Sequence, residues 1–226
     1  NTLYQYLDLV CISIASDIVQ IADENRVLAY FGLKKLSENP CVGLNALMEF
    51  YTRKKEYTIS DIVFSLGPRI NAAGRIADAN AAVRLLIEKD PSKVADFAKV
   101  LNDRNLERRE FDSNITEEAL KMIDTDPFLK ASRSTVVYNE NWHKGVVGIV
   151  ASRLIEKHYR PTIVLTESEG KLTGSARSVK GFDVHAAIEA CSHLLLQFGG
   201  HTHAAGLSLE PAKFTLFREE FEKIVS

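Results

Sequence analysis

Hydrophobic positions in the first 90 residues recur mainly at the three- and four-residue spacing that is typical of amphipathic helices. The exception is residues 7–15, a short and nearly continuous apolar run that predicts a buried parallel strand, with Asp17 just beyond its carboxyl end. The glycine-bounded residues 67–75 are predicted to form a loop between two helices. The helices predicted from this pattern cover residues 27–36, 43–51, 58–66 and 81–88.

A longer helical pattern begins at Pro91, which is well placed as a first helical residue, and no proline or glycine follows before Ile123. Two apolar stripes flank residues 102–110, which are too polar to be buried on all sides. One helix of this length would span roughly 50 Å, and a solvated middle is typical of a helix between two domains. We therefore predict that the domains divide as residues 1–90, a connecting helix over 91–126, and residues 127–226.

Beyond residue 133 the pattern alternates between short β-type runs and helical segments. Predicted strands cover residues 134–138, 161–166, 171–176 and 205–209, and predicted helices cover 146–158, 183–196 and 214–225. This alternation predicts a compact α/β domain with a mixed sheet. The fold class predicted for the chain is therefore α/β, with two lobes joined by a long helix.

The composition is that of an ordinary globular protein, with 226 residues, 46% of them hydrophobic and 26% charged. It excludes collagen-like, disordered and disulfide-scaffold classes. The three cysteines are widely spaced and form no metal motif, which favours buried thiols in a reducing compartment. No apolar run of about 18 residues and no signal peptide is present, so we predict a cytoplasmic protein without a membrane partner.

The net charge of −2 at first argues against a nucleic-acid partner, but it averages over the whole chain and does not describe individual arginines. All six histidines lie beyond residue 133, and histidine is well suited to metal ligation and to phosphate contact near neutral pH. The chain begins with Asn1 and not with Met. We expect from this start that it is cut from a longer protein.

Residues 198–206 form the sharpest motif, because they hold three glycines and two alanines within nine positions. Such a segment lets its backbone approach another molecule closely. Exposed N–H groups around Gly199 and Gly200 could cradle an anion, and His201 could donate to a phosphate oxygen. The alternative interpretation is a tight turn whose glycines serve only the path of the backbone.

Two further segments have the character of phosphate sites. Ser175 and Arg177 are two residues apart on a predicted strand and would share one face, where a hydroxyl and a guanidinium suit a phosphate; the alternative is a surface strand with an exposed arginine. Trp142 and His143 stand where a strand meets a helix, whose N-terminus favours an anion. The alternative there is helix–sheet packing, which we favour for Gly148, with Trp142 as a hydrophobic plug.

In the first half, Arg69, Asn71 and Arg75 could line a track for backbone phosphates. They could equally belong to a turn between the lobes, with the arginines paired to acids. Asp17 is either a metal ligand or a helix cap, and a single carboxylate cannot build a two-metal site.

Taken together, these motifs resemble the RecJ family of single-strand DNA exonucleases, in the DHH phosphoesterase superfamily. The matching stretches are residues 9–19 with 24–26, 67–75 (GPRINAAGR), 142–153 (WHKGVVGIVASR), 174–178 (GSARS), and 199–201 with 204–206. In that family a cleft between two lobes holds Mg²⁺ or Mn²⁺. Asp17 matches the last aspartate of the metal-binding lobe. The earlier motifs, including the Asp-His-His triplet, are absent, so the resemblance implies that this chain retains the metal poorly and cleaves little.

The resemblance also implies a role for each candidate residue. His201, with Gly199 and Gly200, would contact the scissile phosphate, and Ser175 and Arg177 would hold the 5′-terminal phosphate. Arg69, Asn71 and Arg75 would line the path of the strand, with Trp142 or His143 near it.

We therefore predict part of a metal-dependent 5′→3′ single-stranded DNA exonuclease of DNA repair and recombination. Helicase and single-strand-binding proteins are possible partners. The alternatives are a DHH phosphodiesterase that acts on short oligonucleotides or cyclic dinucleotides, and a non-catalytic nucleic-acid-binding scaffold.

Overall fold

A computed structural model describes residues 2–52 and 54–226 of the chain. These residues form two compact units, which divide between Arg108 and Arg109. No helix within the described ranges is both long and apolar enough to cross a membrane. The division lies inside the long helix, so the three-part division into 1–90, 91–126 and 127–226 stays a prediction.

The described part of the first unit is helical. After a 3₁₀ turn over Thr2–Tyr6, its helices are α1 (Leu7–Ser16), α2 (Asp23–Glu38), α3 (Val42–Met48), α4 (Ile59–Asp61), a π-helical turn over Ile62–Leu66, α5 (Gly67–Ile76), α6 (Asn80–Ile87) and the first part of α7 (Pro91–Thr125). Thr58 caps α4 through a reciprocal capping box with Asp61.

The strand predicted over residues 7–15 is wrong, because this segment is helix α1. Cys11, Ile14 and Ala15 are buried in it. A Cβ added at Gly32 of α2 would lie 2.4 Å from the carbonyl oxygen of Leu7, so the two helices pack in very close contact. A short apolar run does not distinguish a buried helix from a buried strand, which is why the pattern misled.

The loop predicted over residues 67–75 is also wrong, because this segment is helix α5. Pro68 lies in the first turn, where a proline is compatible with a helix. A Cβ added at Gly67 would lie 2.9 Å from Oγ of Ser16, so this glycine serves close packing. The glycines at the two ends of the segment therefore do not mark a loop.

The predicted long helix is confirmed as α7, which runs over 35 residues. Its first apolar stripe buries Val94, Ala98 and Leu101, and its second stripe buries Ile115 and Ala119. At about 1.5 Å per residue the helix is roughly 50 Å long.

The second unit is built on a five-stranded sheet. Beyond α7 its elements are α8 (Pro127–Ala131), β1 (Thr135–Tyr138), α9 (Val147–Lys157), β2 (Thr162–Ser168), β3 (Lys171–Arg177), α10 (Val184–Ala190), β4 (Leu195–His201), β5 (Ala204–Leu209) and α11 (Phe214–Val225), with 3₁₀ turns over Ser192–Leu194 and Pro211–Lys213. The strand order is β1-β2-β3-β5-β4. Only the β1–β2 pair is parallel, so the predicted mixed sheet and α/β class are confirmed.

Two predictions in this unit need correction. The helix predicted over residues 183–196 ends at Ala190, and the chain enters the edge strand β4 at Leu195. Residues 198–206 consequently form a β-hairpin and not a free loop. Cys191 and Leu194 are buried and continue the apolar pattern of α10, which is why the helix was predicted to be too long.

The two faces of the sheet are covered differently. One face carries the core, in which Leu172 and Leu207 of the sheet pack with Val184 of α10 and with Phe217 and Phe221 of α11. On the opposite face α9 packs against β2 and β3. On the part of that face formed by β5 and β4, Gly199, His201 and Gly206 are exposed, and the site described next lies there.

Candidate nucleic-acid interface

Three rows of residues lie on the face of the sheet that carries α9. Side chains alternate along a strand and cross-strand partners share a face, so the pairing register defines each row. The rows, each running from β3 through β5 to β4, are Arg177–Ala204–His201, Ser175–Gly206–Gly199 and Thr173–Ser208–Gln197. The register therefore places the two phosphate-type motifs, which are distant in sequence, on one surface.

Arg177 and Ser175 form one end of this surface, and they share a face as predicted. Nη1 of Arg177 donates to Oγ of Ser175 over 2.6 Å and to the carbonyl oxygen of Ala176 over 2.8 Å. Both side chains are half-buried. The guanidinium is thus held in a defined place, which reduces the entropy lost when an anion binds to it.

His201 lies at the other end of the first row and is exposed. Its Nδ1 accepts a hydrogen bond of 3.2 Å from the backbone N–H of His203. The neutral ring therefore carries its proton on Nε2, which leaves Nε2–H as a donor for a ligand. The hairpin tip is fixed by bonds from the N–H of Val184 to the carbonyl of Thr202 and from Oγ1 of Thr202 to Asp183.

The glycines next to this first row are present for different reasons. Gly200 has a φ of +154°, and a Cβ there would lie 2.3 Å from the carbonyl oxygen of Ala204, so the hairpin itself requires glycine. Among the described residues, and apart from the adjacent ones in the chain, no heavy atom lies within 4 Å of a Cβ added at Gly199, and at Gly206 the nearest is 3.9 Å away. Packing does not require glycine at these two positions, and together they leave a bare backbone floor.

This floor forms part of a shallow trough of about 300 Å³. Polar side chains of the third row, Thr173, Gln197 and Ser208, line it beside Gly199 and Gly206. The third row was missed by the sequence analysis, because residues 195–196 were assigned to a helix. Alternation along β4 is the signal that could have found Gln197.

Trp142 and His143 precede α9 and are fixed by the second part of α7. The indole of Trp142 is 4% exposed, and its Nε1–H donates to Oε2 of Glu118 over 2.8 Å. The ring of His143 stacks on Phe111 with centroids 5.1 Å apart, and its Nδ1 accepts from the N–H of Gly145. Trp142 therefore packs as a buried plug, whereas His143 is half-buried and presents Nε2 as its remaining polar atom.

Arg69, Asn71 and Arg75 all lie on helix α5 of the first unit. The guanidinium of Arg69 donates to the carbonyl oxygens of Ser65 and Phe50 and to the side chain of Asn102. These bonds hold the first unit together, so Arg69 has a structural role in addition to any contact with a ligand. Asn71 and Arg75 are exposed.

Asp17 follows the last residue of α1 and is exposed. Its N–H donates to the carbonyl oxygens of Ala15 and Ser13, as is usual at a helix end. The next residue, Ile18, has a φ of +53°, a left-handed conformation that β-branched residues rarely adopt. The chain therefore turns sharply directly after the Asp17 carboxylate.

Comparison with known proteins shows which proteins this chain resembles. Residues 132–226 match the DHHA1 domain. The sequence is 37% identical to the single-stranded-DNA-specific exonuclease RecJ of Haemophilus influenzae, over 97% of this chain. The chain is therefore similar to RecJ exonucleases along almost its whole length. The resemblance derived from the motifs is thereby confirmed.

Solved RecJ structures share the fold. The crystal structure of Thermus thermophilus RecJ with Mg²⁺ matches 98% of this chain and 34% of that chain, with a TM-score of 0.88 and 30% identity. A crystal structure of exonuclease RecJ bound to manganese matches 98% of this chain and 55% of that chain, with a TM-score of 0.82 and 31% identity. The chain spans about 40% of the length of the Haemophilus influenzae RecJ.

The metal ions of those RecJ structures need several oxygen or nitrogen ligands. Among residues 2–52 and 54–226, no group of three or more His, Cys, Asp or Glu side chains is arranged to hold a metal ion. Asp17 is therefore a single candidate ligand, and the described residues do not by themselves fit a Mg²⁺ or Mn²⁺ site.

Proposed function

We propose that this chain is part of a RecJ-type, metal-dependent nuclease that degrades single-stranded DNA from the 5′ end, and that the open face of its second unit binds the strand. The observation that carries the proposal is the first row of that face, where Arg177 and His201 stand at the two ends, next to the bare backbone floor that Gly206 and Gly199 form in the second row. The chain's similarity to proteins named single-stranded-DNA-specific exonuclease supports it.

In this proposal the two ends of the row bind successive phosphates. The guanidinium of Arg177, with Oγ of Ser175, holds the 5′-terminal phosphate, because a planar fork and a hydroxyl match the oxygens of a phosphate. Nε2–H of His201 donates to an oxygen of the scissile phosphate and stabilises the negative charge that grows there during cleavage. The backbones of β3 and β4 are two strands apart and therefore separated by about 10 Å. The side chains of Arg177 and His201 can thus contact two phosphates that are one nucleotide apart.

The glycine floor beside these two side chains allows the strand to approach the backbone closely. Side chains at Gly199 or Gly206 would fill the space directly above the backbone, whereas glycine leaves it open to the sugar and phosphate. His143, with Nε2 as its remaining polar atom, is a further candidate contact, and Asn71 and Arg75 are candidates for the path of the strand. The buried Trp142 acts by packing and not by stacking on a base.

For the metal we propose only that Asp17 supplies one ligand. Its carboxylate is exposed, but the described residues supply too few partners to hold the ion. We therefore expect poor retention of Mg²⁺ or Mn²⁺ by this chain alone. A cytoplasmic location and helicase or single-strand-binding partners stay predictions.

The test uses the full-length nuclease that contains this chain, with 5′-labelled and 3′-labelled single strands and Mn²⁺. His201→Ala should lower kcat by about 100-fold or more, the effect typical of removing one donor to a developing charge. Arg177→Ala should lower the preference for 5′-phosphate over 5′-hydroxyl ends by about 10- to 100-fold, because a charge-assisted contact is lost.

Two controls separate these effects from general ones. His193→Ala removes an exposed histidine from the 3₁₀ turn before β4, and Lys157→Ala removes an exposed positive charge from the far end of α9. Both should behave as the wild type. Near-normal kcat in His201→Ala would contradict its phosphate role. Tight binding of single strands without cleavage by the full-length protein would favour the scaffold alternative.

A further inference from the structure

Gly148 is the second residue of α9 and lies against the proposed phosphate group. A Cβ added at Gly148 would lie 2.9 Å from Nη2 of Arg177 and 3.1 Å from Oγ of Ser175. Real Cβ atoms are almost never found as close as the first of these distances. The space that a side chain would need is therefore already occupied by the two groups proposed to bind the 5′-terminal phosphate.

Neither the backbone nor the helix explains a glycine at this position. Gly148 is helical and is not among the glycines with positive φ. Glycine is among the weakest helix formers, so alanine would strengthen α9 if only the helix mattered. The closest atoms are also not sheet backbone, in contrast to Gly174, where a Cβ would lie 2.0 Å from the carbonyl oxygen of Val164.

We infer that Gly148 is a positioning residue for Arg177, an inference that rests on the proposed role of Arg177 in binding the 5′-phosphate. The missing side chain lets the guanidinium lie against the start of α9 while its Nη1 bonds to Ser175 and to the carbonyl of Ala176. Gly148 thus affects recognition of the 5′-phosphate without contacting the DNA. It sets where the guanidinium fork points.

The effect of a side chain at position 148 depends on which atoms its Cβ would meet. Nη2 is the far end of a flexible side chain, so Gly148→Ala should displace the guanidinium and leave the fold intact. Oγ and Cβ of Ser175, at 3.1 and 3.4 Å, need to yield by only a few tenths of an ångström. We expect Gly148→Ala to weaken binding of 5′-phosphorylated strands by about tenfold, through loss of part of the fork, and to leave 5′-hydroxyl strands unaffected.

The experiment is a double-mutant cycle in the full-length nuclease, without divalent metal so that the strand is not cut. Fluorescence anisotropy would give the Kd of a labelled oligothymidylate with a 5′-phosphate and of the same strand with a 5′-hydroxyl. The proteins are the wild type, Gly148→Ala, Arg177→Ala and the double variant. Thermal unfolding of each reports on the fold, and Gly148→Ala should melt no lower than the wild type.

The expected result is that Gly148→Ala loses 5′-phosphate preference in the wild-type background and changes neither Kd by more than twofold in the Arg177→Ala background. Retained preference, or an equal loss for both strands, would overturn the positioning role. An unchanged preference in Arg177→Ala alone would instead refute the proposed phosphate contact, and the inference would fall with it. With Mn²⁺ restored, Gly148→Ala should raise KM for 5′-phosphorylated DNA and spare kcat, which a general packing defect would not do.

Discussion

Glu222 of α11 offers the sharpest test of how the second unit is held together. Its carboxylate accepts hydrogen bonds from the N–H of Arg133 at 2.7 Å, from the N–H of Ser134 at 2.9 Å, and from the hydroxyls of Ser134 and Ser226. The segment before β1 is thereby tied to the last helix. Burial alone would raise the pKa of Glu222, but the bonds from Ser134 and Arg133 outweigh it and hold the pKa below its usual value.

The change Glu222→Gln keeps the size of the side chain and removes its charge. The amide has one acceptor oxygen and turns an NH₂ group toward donors, so at least one N–H near the 2%-exposed Ser134 loses its partner. An unsatisfied buried donor costs about 1–3 kcal/mol, and bonds to a charged group are worth about 1.5–3 kcal/mol. We therefore expect the free energy of unfolding at pH 7 to fall by about 2–3 kcal/mol.

The pH dependence has a definite sign. A carboxyl whose pKa is lower in the folded protein contributes stability above its unfolded pKa of about 4.3, and loses that contribution as the pH falls through the folded pKa. The difference between wild type and Glu222→Gln should therefore be full at pH 7 and shrink below about pH 4.

The assay is urea unfolding followed by tryptophan fluorescence, because Trp142 is the chain's single tryptophan and is buried in the second unit. Glu219→Gln, on the same helix but exposed, is the matched control and should unfold as the wild type. A loss of less than about 0.5 kcal/mol for Glu222→Gln, within the range of ordinary surface changes, would contradict a stabilising role for this carboxylate. So would a loss of equal size at pH 3.5 and pH 7.

Two further predictions concern the stability of each unit. Gly174→Ala should lower the free energy of unfolding by about 3 kcal/mol or more, because its Cβ would lie 2.0 Å from the carbonyl oxygen of Val164 in the centre of the sheet. Gly199→Ala, whose Cβ would enter open space, should change this free energy by less than about 0.5 kcal/mol. Similar values for the two variants would contradict this prediction. In the first unit, burial would raise the pKa of Asp61, but bonds from Lys54, Thr58 and Tyr51 hold it well below its usual value. Asp61→Asn should therefore destabilise the chain at pH 7, measured by circular dichroism, and by less as the pH falls below about 4; a pH-independent loss would speak against it.

The sequence correctly predicted the elements whose own residues carry a clear periodicity. The alternating and helical patterns of the second unit, and the uninterrupted run that became α7, each carry their own periodicity over several residues. The failures at α1, α5 and β4 share another cause. Each depends on contact with another element, which a single stretch of sequence does not reveal: α1 packs against Gly32, α5 packs through Gly67 against Ser16, and β4 pairs with β5.

Prediction of the candidate site also succeeds where the signal is local and fails where it depends on tertiary contact. A period of two places Ser175 and Arg177 on one face of a strand from sequence alone. Their relation to His201 depends on the register through β5, which follows only once β4 is known to be a strand. The contact between Gly148 and Arg177 is a tertiary one, and the sequence favoured a packing interpretation for this glycine.

The net charge of −2 now has a physical interpretation that agrees with DNA binding. A surplus of positive charge attracts any polyanion, and such non-specific binding carries no information about a strand's end. Recognition of one terminal phosphate instead needs a guanidinium whose position is fixed before the ligand arrives, since binding then costs less conformational entropy. Arg177 is fixed by Ser175 and Ala176 and by the space that Gly148 leaves, so the slight excess of acidic residues is compatible with the proposed binding of a 5′ end at this one place.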